Sequence, residues 1–141
     1  MRVLVCGSRT WTDYESIANR LKQLAEECEA RDRIVVAADE LISFVVIVGG
    51  AKGVDTLAEE WAERNFVYFD GHPLLDCVRF PADWAKYGKA AGPIRNRQML
   101  TEGRPDLVLA FWDGKSRGTA NMIELARTAG VPVEIITLCC T

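Results

Sequence analysis

Residues 44–48 read Phe-Val-Val-Ile-Val, an unbroken apolar run that stops at Gly49-Gly50. A strand with one wet face alternates apolar and polar side chains. A run without alternation implies cover on both faces, the pattern of a parallel sheet enclosed by helices. Further strand-like runs fall at 2–6, 76–80, 106–112 and 133–138. Between them lie segments with helical patterning. In 13–30, Ile17, Leu21, Leu24 and Cys28 recur at helical spacing, and Thr12 and Glu15 have the spacing of a capping box. Thr56 and Glu59 repeat that spacing and open a helix to residue 64. Pro93 suits the first turn of a helix over 93–102, and Gly130 stops one over 118–129. Residues 86–92 read as a polar loop, and 66–75 as a loop carrying the sole histidine, His72. Ile34-Val35-Val36-Ala37 reads either as an extra strand or as an apolar flap. The alternation predicts an α/β fold: a three-layer Rossmann-like sandwich with a mainly parallel five-stranded sheet and right-handed crossovers. At 141 residues and 49% hydrophobic content, one domain spanning 1–141 is expected.

In such a fold the carboxyl ends of the strands line one edge, and ligands bind along it. Four turns that follow these runs carry small or glycine-rich sequences: Gly7-Ser8-Arg9, Gly49 to Asp55 with Gly50 and Gly53, Gly92 to Arg97, and Asp113 to Thr119 with Gly118. They are neither a dinucleotide fingerprint nor a P-loop, since GxGxxG with its acid at the second strand and GxxxxGK[ST] are both missing. What remains is close backbone approach at glycines and helix N-termini offering unpaired N–H groups to an anion. Ser8 can donate a hydroxyl and Arg9 a forked pair of N–H groups to phosphate or carboxylate. Asp55 either holds a ribose hydroxyl or caps its helix. Arg95 and Arg97 flank Asn96 in a stretch, 86–97, with four basic residues and no acid. Helical geometry points the two arginines in different directions, so one of them is expected at the site. Gly118 and Thr119 open the last helix, where an N–H and a hydroxyl can meet phosphate. Trp11, Trp84 and Trp112 lie near these loops, as rim or core residues or as stacking partners for a base.

Charge and cysteine usage narrow the classes. With 17 basic against 20 acidic side chains the net charge is −3, so no overall field draws the chain to nucleic acid or membrane. The five cysteines show neither CxxC pairs nor metal-ligand spacing, which fits a reducing, cytoplasmic setting without a metal site. No stretch reaches the roughly 20 apolar residues of a membrane span, and no signal peptide is read at the start. No Ser/His/Asp set, Cys/His pair or carboxylate cluster nominates a catalytic group.

Together, Val3 to Arg9 with Trp11 and Asp13, Gly50 to Asp55 with Ala58, Phe80 to Trp84, Gly92 to Arg97 and Gly118 to Ala120 resemble the YspA-like branch of the SLOG superfamily. That superfamily also contains the DNA-processing protein A family and the LOG-type phosphoribohydrolases. The resemblance implies a Rossmann-like domain that senses or processes a nucleotide-derived ligand; no separate cofactor is expected. LOG enzymes carry a glutamate three residues after the threonine of their glycine-rich loop. Here Met122 stands three residues after Thr119, and Glu124 two further on. Residues 31–43 and 66–75 read as insertions relative to that pattern.

The expected function is therefore binding of a nucleotide or nucleotide-derived phosphoester through Gly7, Ser8, Arg9, Gly49, Gly50, Gly53, Asp55, Arg95, Asn96, Arg97, Gly118 and Thr119. One alternative is a phosphoribohydrolase or related nucleotide hydrolase, with Asp55 or Glu124 as the acid. The other is a single-stranded nucleic-acid binder using 86–97. A homodimer is compatible with the resemblance.

Overall fold

The computed structural model describes residues 1–32, 44–65, 68–69, 72–73 and 75–137. The reading of residues 34–37 falls outside them. The elements run β1 (Arg2–Gly7), α1 (Tyr14–Asp32), β2 (Phe44–Val48), α2 (Val54–Arg64), β3 (Tyr68–Phe69), β4 (His72–Pro73), β5 (Leu75–Arg79), α3 (Trp84–Tyr87), a 3-10 turn (Gly88–Ala90), α4 (Ala91–Thr101), β6 (Leu107–Phe111), α5 (Arg117–Thr128) and β7 (Val133–Ile136). Five strands form one parallel sheet in the order β5-β2-β1-β6-β7. This is the Rossmann-like α/β fold that the patterning predicts.

Both faces of the sheet are covered. Val3, Val5, Val46 and Val48 point to the side where α1 and α2 contribute Ile17, Leu21, Val54, Ala58 and Trp61. Leu4, Val45 and Ile47 point the other way, onto Met99 of α4 and Met122 and Ala126 of α5. Val3, Leu4 and Val5 are wholly buried although consecutive, which is why the strand runs do not alternate. Trp11 belongs to this core: it meets Phe111 edge to face at 5.6 Å, and its indole N–H is taken by Asp13 O and Ser16 Oγ. It is not placed to stack a base.

Local departures from the sequence reading have local causes. The first helix is capped by Asp13, whose Oδ1 accepts the Ser16 N–H at 3.3 Å, rather than by a Thr12–Glu15 box. Helix α2 starts at Val54, two residues before Thr56. Gly53 is its cap residue, and the Thr56 hydroxyl donates back to Ala51 O at 3.1 Å, so the second capping box does not form. Residues 86–92 are not a loop but the end of α3, the 3-10 turn and the start of α4. Of their apolar side chains only Ala91 is buried, so no amphipathic pattern marked the helix. Within 66–75, β3 and β4 pair antiparallel, Tyr68 with Pro73 and Phe69 with His72, and β5 starts at Leu75. Two-residue strands are too short to leave a periodicity. Among the described residues no helix is long and apolar enough to cross a membrane.

Candidate functional site

The chain leaves β1 toward β2 on one side, while β6 lies on the other. The loops after β1 and β6 therefore diverge, opening a crevice at the carboxyl edge. A cleft of about 260 Å³ occupies this place, lined by Cys6 and Gly7 at the end of β1 and Arg9 just after it, Gly49 and Ala51 after β2, Asp55 at the start of α2, Arg95, Asn96 and Met99 of α4, and Ser116 to Thr119 at the start of α5.

Glycines let these loops meet. A Cβ on Gly7 would overlap Phe111 O and the Val54 side chain, and one on Gly53 would overlap Ser8 O and the Arg9 backbone. Gly53 also has φ +79°, a conformation that costs other residues dearly. A Cβ on Gly49 would collide with the Arg95 guanidinium, whose Nη1 donates to Gly49 O. Gly118 differs, because nothing lies within 4 Å of the place its Cβ would take. Its open side is exposed space at the cleft.

Ser8 and Asn96 tie the walls together. Ser8 is buried, its Oγ accepts the Asp113 N–H at 3.1 Å, and it does not line the cleft. The Asp113 carboxylate in turn accepts the Lys115 and Ser116 N–H groups, which hold it below the usual carboxylate range and shape the turn before α5. Asn96 is buried and donates to Gly118 O at 3.2 Å and Asn121 Oδ1 at 3.0 Å, while its own Oδ1 accepts from Arg95 Nε at 3.1 Å. Thus α4 fixes both the start of α5 and the direction of Arg95.

Among the described residues Asp55 is the one carboxylate on the cleft wall. Its Oδ2 accepts the N–H groups of Gly49 at 3.0 Å and Ala51 at 3.1 Å, which folds the loop after β2. Burial pushes its pKa up to about 6, against the pull of those N–H groups and of Arg95. Burial pulls the Arg95 guanidinium below its ordinary value, with Asp55 opposing and Arg9 adding to the shift. The Cys6 thiol is raised by burial and by Asp55 and stays neutral near pH 7.

Three arginines, Arg9, Arg95 and Arg117, reach the same cleft, and among the described residues none forms a salt bridge. At the floor, Ser116 precedes α5 without capping it, since its Oγ instead accepts the Thr119 hydroxyl at 3.0 Å. The first-turn N–H groups of Arg117, Gly118 and Thr119 have no intrahelical partner. The cleft thus presents positive charge and unpaired donors around one protonatable acid. Among the described residues no group of three or more His, Cys, Asp or Glu comes together as a metal site.

Of the residues expected from sequence, Gly7, Arg9, Gly49, Asp55, Arg95, Asn96, Gly118 and Thr119 line the cleft. Ser8, Gly50 and Gly53 shape the loops behind it. Arg97 is exposed on another face of α4, as the angle between helical positions i and i+2 requires. Cys6, Ala51, Met99, Ser116 and Arg117 are additions. Cys6 was detectable in principle: it is the last residue of β1 before Gly7 and shares the face of Leu4, the α4 side. Glu124 lines a separate groove with Trp112, Arg127 and Ile135 on the outside of α5, away from the cleft.

A family model described as the YspA, cpYpsA-related SLOG family matches residues 1–87. The chain belongs to the YspA, cpYpsA-related SLOG family. The family match spans β1 through α3, and so includes the half of the cleft built from Cys6, Arg9, Gly49 and Asp55. The Gene 61 protein of Mycobacterium phage D29 is 36% identical over 137 residues, covering 94% of this chain and 93% of that protein. Its similarity extends beyond the family match, through α4 and α5. No solved structure matches the chain.

Proposed function

We propose that this SLOG protein binds a nucleotide or nucleotide-derived phosphoester in the cleft between β1 and β6. The observation that carries the reading is the convergence of Arg9, Arg95 and Arg117 with the unpaired first turn of α5 on one cleft, where the described residues supply a single carboxylate. Phosphate is the anion that such donors suit, by forked arginine pairing and by a helix N-terminus. Open space at Gly118 gives it room to approach the helix backbone. Asp55, whose hydrogen bonds from Gly49 and Ala51 both go to Oδ2, would take a ribose hydroxyl on its other oxygen. At about 260 Å³ the cleft is at the small end for ligand pockets, which run from roughly 300 Å³ upward. That favours a mononucleotide over a dinucleotide.

The test is thermal unfolding against nucleoside mono-, di- and triphosphates, ADP-ribose and cyclic nucleotides. A ligand at about 100 times its Kd that binds only the folded chain adds about 2.7 kcal/mol. The shift should disappear in Arg9→Ala and Arg117→Ala, both exposed in the free protein, and persist in Arg97→Ala. No shift with any ligand would overturn the reading.

A hydrolytic role rests on one observation, a buried carboxylic acid with a pKa near 6 at the cleft wall, in the range suited to proton transfer. On this reading the acid of a phosphoribohydrolase would be Asp55 rather than Glu124, which lies outside the cleft. Release of free base from a nucleoside monophosphate, lost in Asp55→Asn while binding is kept, is the expected result. Absence of base release by the native chain removes this second reading.

A further inference from the structure

We infer that the surface formed by α3, the 3-10 turn and the first turns of α4 docks single-stranded nucleic acid, a role separate from nucleotide binding in the cleft. Trp84, Tyr87 and Ile94 are 51%, 41% and 38% exposed, three of the four exposed large apolar side chains among the described residues. No residue of α3 is buried, so the helix contributes its rings to solvent rather than to the core. A Cβ on Gly92 would meet the Trp84 ring at 3.5 Å. That ring therefore lies against the first turn of α4, close to Ile94 in sequence. Lys86 Nζ stands 5.0 Å over the Tyr87 ring. Lys86, Lys89 and Arg97 are exposed, and no acid occurs between residues 84 and 101.

Exposed rings interleaved with cations that form no salt bridge among the described residues, with Asp83 at the start of α3 as the nearby acid beside Lys86, in a chain whose net charge is −3, select an anionic partner with flat faces. A single strand has both at every residue: a phosphate for each cation and an unpaired base for each ring. An acidic peptide offers the charge but nothing to stack. A duplex hides its base faces in the helix. Trp84 and Tyr87 are three residues apart on one helix and so share a face, a spacing that serves consecutive bases without reading their identity.

The experiment is fluorescence anisotropy of a labelled mixed-sequence 12-nucleotide DNA strand with the full chain at 50 and 200 mM NaCl. Contacts from Lys86, Lys89 and Arg97 to three phosphates give a slope near −2 in log affinity against log salt, a loss of roughly twenty-fold between the two conditions. Trp84→Ala with Tyr87→Ala should cost about twenty-five-fold or more, at five-fold or more per ring. Because both rings are exposed, that variant should melt as the native chain does and keep its mononucleotide-induced shift. Lys86→Gln, Lys89→Gln and Arg97→Gln together should flatten the salt dependence. The duplex of the same sequence and a polyglutamate peptide of equal length should bind more weakly than the single strand. The inference is overturned by no binding at 50 mM NaCl, by affinity indifferent to the two rings, by preference for polyglutamate, or by a dimer that the ring substitutions dissociate. A failure of the mononucleotide shift alone would count against the cleft and leave this surface standing.

Discussion

Replacing Asp55 by asparagine should remove the loss of stability with rising pH that this buried acid imposes on the folded chain. The carboxyl titrates at about 6 in the folded chain against an ordinary value of 3.8, because burial disfavours its charge more than Gly49, Ala51 and Arg95 restore it. Below pH 3.8 it is protonated in both states and contributes nothing to the difference. As pH rises from about 4 through 6 the unfolded chain loses its proton first, so the folded state is progressively penalised. At 1.36 kcal/mol per pKa unit, the move from 3.8 to about 6 corresponds to about 3 kcal/mol by pH 7. The substituted amide would keep an oxygen to accept the Gly49 and Ala51 N–H groups and would carry no charge. Urea unfolding of both proteins from pH 4 to pH 8 isolates the effect, since other titrating groups cancel in the difference. The variant should gain about 3 kcal/mol on the native chain over that range, most of it between pH 4 and 6. A difference that is flat with pH, or that favours the native chain as pH rises, would refute the argument that Asp55 is a buried acid held at an energetic cost.

Gly53→Ala should lose stability by about 2–6 kcal/mol in chemical denaturation, combining a backbone held at φ +79° with a Cβ forced into Ser8 O. Gly118→Ala should leave the melting temperature unchanged or slightly raised, since its Cβ would meet nothing, yet weaken nucleotide affinity in the thermal-shift titration. Cys6 should resist alkylation at pH 8 in the native chain and react fully once unfolded, read by peptide mass spectrometry, because burial keeps its thiol protonated.

The sheet was legible because its strands are buried on both faces and punctuated by glycine, as Phe44–Val48 before Gly49 shows. Helix starts were less so. Thr12 and Thr56 have the residue types of a cap, but Asp13 and Gly53 occupy the geometry, since sequence spacing cannot say where the first helical turn closes. The α3 segment escaped notice because its apolar side chains face solvent, leaving no amphipathic pattern to read. At the site, the glycine-rich turns do come together around one cleft, while the placement of single side chains within it needed three dimensions. Nothing in the sequence shows that Ser8 points to Asp113 rather than to the cleft, or that Asn96 bonds across to α5. The choice between Arg95 and Arg97 follows from helical direction only once Gly49 is seen to receive Arg95.

Backbone amide chemical shifts of the ¹⁵N-labelled chain, followed while a nucleoside monophosphate is added, test most directly whether the start of α5 receives the phosphate. The resonances of Gly118 and Thr119 should move saturably, together with Gly49 and Ala51, and the same titration of Arg117→Ala should need several-fold more ligand. Shifts confined to the outer groove of Trp112, Glu124 and Ile135, or no saturable shift at Gly118 and Thr119 with any nucleotide, would contradict the assignment of the cleft.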